Sequence, residues 1–406
     1  MYIKRHLEDA LQKIEKMFPA VLISGPRQVG KTTLLAEVKR EIAYVSLDEP
    51  IMLRNALEEA GSFFQQTPPP IVVDEIQYAP GLFPYIKLIA DKERKKGQFF
   101  LTGSQQFQMM KNVSDSLAGR IGILNLLGLS LREIYSVVFN APFLPISDYF
   151  AKRKQHAAEI SYHDVWRIIH KGCMPAMYAE DADWQMFYSS YTRTYIARDV
   201  RELTQIGDEI KFLNFMTVVA SKTSQVLNFA SIARDVGISQ PTAERWMSVL
   251  RASNLVYLLP PYYNNITKRT IKAPKLYFLD TGLAAYLTRW LTPEVLEKGA
   301  MSGAFFETFV IAEIIKSYYN TGITDPPLYY YRDKEGREID LLLMQDGTLY
   351  PIEIKKSANP SKSDITAFGV LDTLSEVTRG TGGVICLYDT LAVLKGDDMI
   401  IPLKFI

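Results

Sequence analysis

Short apolar runs separated by longer amphipathic stretches make up the N-terminal part of the chain. A brief apolar run is typical of a buried strand, and apolar residues at helical spacing, as in 81–96, predict an amphipathic helix. Strands that alternate with helices predict a mostly parallel sheet with helices on both faces. This α/β domain is expected to end near residue 140, at the linker-like segment 139–145. Strands are predicted at 20–24, 42–47, 71–73 and 98–101.

The pattern changes twice after this domain. It is first helical and rich in aromatic residues and arginines, then shows two short helices around a tight turn followed by two strands. The last part has one apolar helix followed by several strands. The predicted fold class is therefore α/β, with a parallel-sheet domain at 1–140, a helical region at 141–222, a winged helix-turn-helix at 223–290 and a second α/β domain at 291–406.

Composition narrows the class of protein. Of the 406 residues, 48% are apolar and 22% are charged, which is ordinary for a globular protein of two or three domains. The formal net charge of +1 argues against coating nucleic acid by bulk charge, but leaves a local basic groove open. Cys173 and Cys386 lie far apart and match no metal-ligand spacing, so two buried thiols in a reducing, cytoplasmic setting are expected.

Neither a signal peptide nor a membrane span is predicted. Residues 1–18 are amphipathic and charged, which favours a helix packed on the first domain. No apolar run approaches the roughly 20 residues that a membrane-spanning helix needs.

The turn after the first strand carries the clearest chemical pattern. Residues 25–32 (GPRQVGKT) have the complete P-loop spacing between a strand and a helix. Backbone N–H groups of such a loop surround phosphate oxygens, and Gly30 lets the backbone approach closely. Lys31 is expected to contact the β and γ phosphates, and Thr32 to ligate Mg²⁺. Thr33 adjoins the site without being the expected ligand. The segment predicts binding of ATP or GTP.

Two carboxylates follow the apolar run at 71–73. Asp74 is predicted to hold Mg²⁺ and Glu75 to polarise the attacking water. Thr102 or Ser104, after the next strand, is a candidate sensor of the γ-phosphate. Arg120 is a candidate for stabilising transition-state charge in cis or from a neighbouring subunit; the alternative is a surface or salt-bridged arginine. The predicted catalytic residues are Lys31, Glu75 and Arg120, and the predicted nucleotide-binding residues are Gly25, Pro26, Arg27, Gln28, Val29, Gly30, Lys31, Thr32, Thr33, Asp74 and Ser104.

These motifs together resemble a known family. GPRQVGKTTLL, VVDEIQ, LTGSQ and SLAGR, in this order, are similar to prokaryotic AAA-type ATPases that carry a C-terminal domain of unknown function. The resemblance continues through 195–201, 237–242 and 275–282, and so covers nearly the whole chain. It implies the use of adenine nucleotides. The family often has Glu where this chain has Ala197, so the sequence departs from the family pattern at this position.

The tight turn at 237–239 lies between two predicted helices. The segment 227–236 is predicted to form the first and 241–252 the second, with Ser239 as a possible N-cap. Strands at 256–259 and 276–279 would complete a winged helix. Its wing has four basic residues with no acid between them, so 241–275 is a candidate contact for DNA or RNA phosphates; the alternative is a protein-contact module or spacer. These basic residues are Lys268, Arg269, Lys272 and Lys275.

The last region carries a second acidic pattern. Asp340 in a predicted hairpin strand is followed by Glu353 and Lys355 on the next strand, where a period of two places both on one face. With Glu307 on the preceding helix, they resemble the PD-(D/E)XK pattern of restriction-endonuclease-like folds. The carboxylates could hold a divalent metal and Lys355 could orient the nucleophile. A structural ion-pair cluster and a retained fold without activity are the alternatives.

Two hypotheses remain. The first is a Mg²⁺-dependent ATPase that couples nucleotide state to a nucleic-acid-directed C-terminal module. The second is an ATP-driven switch that holds protein partners or further copies of itself, with an inactive nuclease-like domain. A small-molecule kinase is disfavoured because the Asp74–Glu75 pair suits water activation.

Overall fold

The N-terminal strands form a parallel sheet. The computed structural model describes residues 2–103, 117–156, 158, 160–180, 182–195, 209–263, 273–374 and 377–406. Within these residues the sheet has the strand order β2-β3-β4-β1-β5, and every pairing is parallel. The carboxyl ends of its strands therefore meet at one edge. The strands are β1 (Ala20–Ser24), β2 (Ala43–Ser46), β3 (Ile71–Asp74), β4 (Phe99–Gly103) and β5 (Ile121–Asn125).

Both faces of this sheet are buried, as the apolar runs predict. Alternate residues of β1 enter different cores: Val21 and Ile23 join one cluster, and Ala20 and Leu22 join the other. This is the consequence of side chains pointing to opposite faces at successive positions. The helices around the sheet are α1 (Leu7–Ile14), α2 (Lys31–Val38), α3 (Pro50–Glu58), α4 (Ala60–Gln66) and α5 (Phe83–Glu93), with 3₁₀ turns at Ile76–Tyr78 and Pro80–Leu82.

A helical region follows β5. The connecting segment 126–131 contacts the rest of the chain on several sides. The Leu129 N–H donates to the carbonyl of Cys173 at 2.7 Å, and the Leu129 carbonyl accepts from Lys316 at 3.0 Å. The Leu131 N–H donates to the Glu313 carboxylate at 2.6 Å. The helices that follow are α6 (Leu131–Ile134), α7 (Ser147–Lys154), α8 (Tyr162–Lys171), α9 (Ala176–Ala179), α10 (Trp184–Tyr195) and α11 (Glu209–Ser221).

The tight turn lies between two helices, as the sequence predicts. The Asn228 and Ser239 side chains cap the two helices by accepting from backbone N–H groups, and Gly237 closes the first helix at a φ of 74°. The strands pair antiparallel in the order β6-β8-β7. The elements are β6 (Gln225–Val226), α12 (Phe229–Val236), α13 (Gln240–Ala252), β7 (Val256–Leu259), β8 (Lys275–Phe278), α14 (Thr281–Leu287) and α15 (Pro293–Lys298).

A long buried helix, α16 (Ser302–Tyr319), leads into a mixed sheet. The predicted hairpin is present as an antiparallel pair, β9–β10. Over the described residues the sheet order is β14-β15-β13-β11-β10-β9, with β12 beside β11. The strands are β9 (Leu328–Arg332), β10 (Glu338–Gln345), β11 (Thr348–Ile354), β12 (Thr378–Arg379), β13 (Gly383–Cys386), β14 (Ala392–Lys395) and β15 (Asp398–Pro402), with 3₁₀ turns at Thr366–Thr373 and Leu403–Phe405.

The largest hydrophobic cluster runs through all these regions, from Leu7 to Ile406. The predicted boundaries at 140, 222 and 290 therefore do not separate independent cores. Cys173 and Cys386 are both buried free thiols, which confirms the prediction that these two side chains are buried. Across the described ranges, no helix combines the length and apolar character needed to cross a bilayer.

Candidate functional site

The phosphate loop owes its shape to two glycines. Gly25 has a φ of 148°, and a Cβ at this position would lie 2.0 Å from the carbonyl oxygen of Leu126. Gly30 precedes helix α2 with a φ of 89°, in the left-handed region that side chains disfavour. Any other residue at Gly25 would collide with the backbone that follows β5. The close spacing of loop and strand therefore depends on the first glycine, and the entry into α2 on the second.

Lys31 lies inside the loop. Its side chain is buried, and its Nζ donates to the carbonyls of Gly25 at 3.0 Å and Pro26 at 2.7 Å. The ammonium is thereby held among the loop's own carbonyls, where an entering phosphate would compete for it. The structure thus brings the predicted lysine to the concave side of the loop.

The Asp74 carboxylate accepts hydrogen bonds from several hydroxyl groups at the carboxyl end of the sheet. The Thr32 Oγ1 donates to its two carboxylate oxygens at 2.9 and 3.1 Å, and the Tyr44 hydroxyl donates to Oδ2 at 2.9 Å. The Thr102 hydroxyl also donates to Asp74. Asp74 is only 4% exposed, so these contacts stabilise its charge away from bulk water. Two oxygen ligands suited to Mg²⁺, on Thr32 and Asp74, are therefore adjacent.

Tyr44 was not among the residues predicted from the sequence. Partial burial and the hydrogen bond to Asp74 raise the pKa of Tyr44, so its hydroxyl is a donor at neutral pH. It lies on β2, whose residues pair with β3 in register, Ser46 opposite Asp74. Only this pairing brings the ring near the carboxylate, and no local sequence signal marks it.

Glu75 occupies a strained backbone position. Its φ of 55° is left-handed, which is unusual for a residue with a side chain, and its N–H donates to the Thr102 hydroxyl at 3.1 Å. The carboxylate accepts a hydrogen bond from the Gln77 amide. The strained turn keeps Glu75 at the same edge as Asp74. Ser104, the other candidate sensor, lies outside the described residues.

Arg120 does not reach the phosphate loop within this chain. Its carbonyl accepts from the N–H of Ala20, the first residue of β1, whereas the loop follows the last residue of that strand. Because the sheet is parallel, Arg120 lies at the opposite edge. Its guanidinium is paired with Asp91 at 2.5 and 3.0 Å on the surface. The prediction that Arg120 stabilises transition-state charge at the phosphate loop of its own chain is therefore wrong. The alternative, a salt-bridged surface arginine, describes what Arg120 does here.

The C-terminal acidic residues meet at the β10–β11 pair. Asp340 accepts a hydrogen bond from the Ile354 N–H at 2.9 Å, and the Lys355 ammonium lies 2.8 Å from Glu353 and 3.9 Å from Asp340. Burial and the nearby Asp340 charge raise the pKa of Glu353 to about 8. The Asp-Glu-Lys set therefore lies together, as the spacing predicts. In the ranges that the structure describes, however, no group of three acidic, His or Cys side chains has metal-binding geometry.

Lys275 overturns one expectation. Predicted as a phosphate-contacting residue of the wing, it is instead 3% exposed and lies among carboxylates. Its Nζ is 3.3 Å from Glu307, 2.5 Å from Glu338 and 3.6 Å from Asp340. These charges raise the pKa of Lys275 although burial opposes them. Lys275 is buried because of a tertiary contact that its local sequence does not reveal: β8 begins at Lys275 and lies against α16 and the C-terminal sheet. The remaining basic wing residues, Lys268, Arg269 and Lys272, lie outside the described residues.

Glu307 belongs to the same cluster. It accepts from the hydroxyls of Tyr277 and Ser224, each at 2.6 Å. Burial, followed by the charge of Asp340, raises the pKa of Glu307. The ammonium of Lys275 thus stands in the space between Glu307 and Asp340 where the sequence pattern predicts a divalent metal.

Comparison with known proteins covers the chain in three segments. Residues 17–135 match the family model described as an AAA domain, whereas 162–294 and 302–406 match two different domains of unknown function. Uncharacterized proteins of Mycobacterium tuberculosis and Mycobacterium bovis are each 28% identical over 379 residues, which is 89% of this chain and 76% of theirs.

Two of the solved structures that match this chain are the following. A Walker-type ATPase of Pyrococcus abyssi is 13% identical, with a TM-score of 0.44, over 70% of this chain and 96% of its own. The RuvB Holliday junction branch migration motor of Thermotoga maritima is 16% identical, with a TM-score of 0.29, over 63% and 87%. The match to the AAA-domain model covers the segment that contains the five-stranded parallel sheet and the phosphate loop, and it supports a P-loop ATPase fold for residues 17–135.

Proposed function

We propose that the chain is a Mg²⁺-dependent ATPase whose nucleotide site is the phosphate loop. The observation that carries this proposal is the meeting of Thr32 and Asp74 beside the loop that encloses Lys31. Lys31 and Thr32 begin helix α2, and Asp74 ends strand β3. Together they supply the metal ligands and the cation that a triphosphate requires.

Each residue of the site has a separate role in the proposed hydrolysis. The backbone N–H groups at the start of α2 bind the phosphates, and Lys31 exchanges its loop carbonyls for phosphate oxygens. Thr32 and Asp74 would hold Mg²⁺, which supplies charge to the phosphates when bound. Glu75 polarises the attacking water, and Thr102 fixes the Glu75 backbone next to Asp74.

Steady-state ATP hydrolysis by the 406-residue protein tests the proposal. Lys31→Ala is expected to lower turnover by at least about a hundredfold, since it removes a charge that stabilises the transferring phosphoryl group. Lys92→Ala, at an exposed site on α5, is the matched control and should match wild type. Equal rates in all three proteins refute the proposal, as does a wild type without Mg²⁺-dependent turnover.

For the C-terminal region we propose a nuclease-like module that serves as a nucleotide-controlled binding part and does not cleave nucleic acid in its present arrangement. The supporting observation is Lys275, whose ammonium lies between Glu307 and Asp340. A fixed cation there competes with a divalent metal for the same carboxylates. This favours the switch hypothesis over a metal-dependent nuclease, which remains the rival function.

A cleavage screen separates the two functions. Wild-type protein is incubated with DNA or RNA, with Mg²⁺ or Mn²⁺, with and without ATP. The switch hypothesis predicts no cleavage above that of Asp340→Asn. Metal-dependent cleavage that is lost in Asp340→Asn, and kept in Asp346→Asn in the exposed β10–β11 turn, establishes a nuclease instead.

A further inference from the structure

An arginine outside the AAA-domain match reaches the phosphate loop. Arg5 precedes α1 and is 3% exposed. Its Nη1 donates to the carbonyl of Val29, within the loop, at 2.8 Å. Its Nη2 donates to the carbonyl of Leu127 at 2.7 Å and contacts that of Gly128 at 3.3 Å. One guanidinium therefore ties the loop to the segment that follows β5.

A buried carboxylate fixes the guanidinium in turn. Glu133 accepts from Arg5 Nε at 3.0 Å and from the His6 N–H at 2.8 Å. Its second oxygen accepts from the Ser130 N–H at 2.7 Å. Burial would raise the pKa of Glu133, but Arg5 and these backbone donors hold it below its usual value, so the carboxylate is charged at neutral pH. The planar guanidinium is thus held on several sides, and its orientation is restricted.

The direction of the Val29 carbonyl, which Arg5 holds, sets the direction of the Gly30 N–H in the loop. The carbonyl of Val29 and the N–H of Gly30 belong to one planar trans peptide, so they point in opposite directions. Gly30 has no Cβ and sits at a φ of 89°, where rotation of this peptide meets little steric resistance. Fixing the Val29 carbonyl toward Arg5 therefore fixes the Gly30 N–H away from Arg5.

We infer that Arg5 is a positioning residue of the nucleotide site, which holds the 29–30 peptide so that the Gly30 N–H faces the phosphates. This rests on the proposed function of the loop. Arg5 touches no phosphate itself; it acts through the peptide plane. The AAA domain thus takes part of its phosphate-binding geometry from the N-terminal segment.

Substitution by lysine separates positioning from general stability. Arg5→Lys keeps a positive charge beside Glu133 but offers one nitrogen where Arg5 uses three separate ones for Val29, Leu127 and Glu133. Arg132→Lys is the matched control, since Arg132 is also buried and donates to the carbonyls of Ala141 and Ile406 without touching the loop. Kd for ATP, KM and kcat are measured below the unfolding temperature of each variant. Arg5→Lys is expected to weaken ATP binding about tenfold, the factor that ~1.4 kcal/mol represents, and Arg132→Lys by less than about twofold.

Every result of these measurements either supports or overturns the positioning role of Arg5. Equal losses of ATP affinity in the two variants overturn the role of Arg5 while leaving ATP hydrolysis by wild type intact. A wild type that neither binds nor hydrolyses ATP removes the proposed function, and this inference with it. A nucleotide-bound crystal structure of wild type provides a test that needs no variant to fold. The Arg5–Val29 contact with the Gly30 N–H on a phosphate supports the inference, and a Gly30 N–H turned away from the phosphates overturns it.

Discussion

Replacing Lys275 with methionine should cost the C-terminal region about 3–5 kcal/mol, the usual range when one partner of a buried ion pair is removed. At an effective dielectric constant of about 20, a charge pair at the 3.3 Å separation from Glu307 is worth roughly 5 kcal/mol. Asp340 at 3.6 Å adds a similar attraction. Desolvation of the buried ammonium offsets part of this sum. After the substitution, Glu307 loses its ion-pair partner, and Asp340 keeps only the more distant Lys355, at 3.9 Å, among the described contacts.

Amide hydrogen exchange of β10 and β11, followed by mass spectrometry, measures the local opening free energy. The opening free energy that Lys275→Met loses should be smaller near pH ~5 than near pH ~8. The folded-state pKa of Glu307 is already raised, and removing Lys275 raises it further. A group with a raised folded-state pKa contributes stability at low pH that is lost as the pH rises through that pKa.

A double variant tests the reasoning. Lys275→Met combined with Glu307→Gln should recover a large part of the loss, because fewer unpaired charges remain in the cluster. Lys222→Met, at a half-exposed pair with Asp235 at 3.8 Å, is the control and should change stability by under about 0.5 kcal/mol. If Lys275→Met matches this control, or if its loss does not depend on pH, the cluster is not held by Lys275.

Three further substitutions probe the nucleotide site. Tyr44→Phe removes a hydrogen-bond donor to Asp74, the proposed Mg²⁺ ligand, and should raise the Mg²⁺ concentration for half-maximal ATP hydrolysis severalfold, whereas Tyr85→Phe should not; equal Mg²⁺ titrations contradict this role. Gly25→Ala places a Cβ 2.0 Å from a backbone carbonyl and should abolish nucleotide binding measured by calorimetry, while Gly303→Ala, with nothing within 4 Å, should be silent. Arg120→Ala should leave turnover within about twofold of wild type at protein concentrations where sedimentation shows monomers, because any transition-state role must come from another subunit.

The local patterns were sufficient to place the phosphate loop. Its glycines, its lysine and the strand before it are contiguous, and the carboxyl end of β3 at Asp74 follows from the parallel-sheet pattern. The helix–turn–helix segment was equally predictable, because N-caps and a C-terminal glycine are local signals.

Contacts between distant segments were not predictable in this way. Lys275 appeared as part of a basic run, because its acidic partners are 32 or more residues away in the sequence. Arg5 and Glu133 are separated by 128 residues. Glu133 belongs to a local capping box with Ser130, but that pattern does not indicate a contact with Arg5. The motif around Arg120 predicts a residue near the phosphate loop. In the structure Arg120 precedes β5 and therefore lies at the amino ends of the strands, opposite the loop.

The segment 126–131 also bears on whether the sequence families are units of folding. An excised 17–135 fragment would keep this segment but lose Arg5, Lys316 and Glu313, which satisfy its backbone carbonyls and N–H groups. Buried backbone groups left without partners cost about 1–3 kcal/mol each. The fragment would also expose the apolar cluster that it shares with the rest of the chain. We therefore expect the segment that matches the AAA-domain model to depend on its neighbours to fold. Exchange of this segment between relatives should succeed only when the partners of 126–131 are exchanged with it.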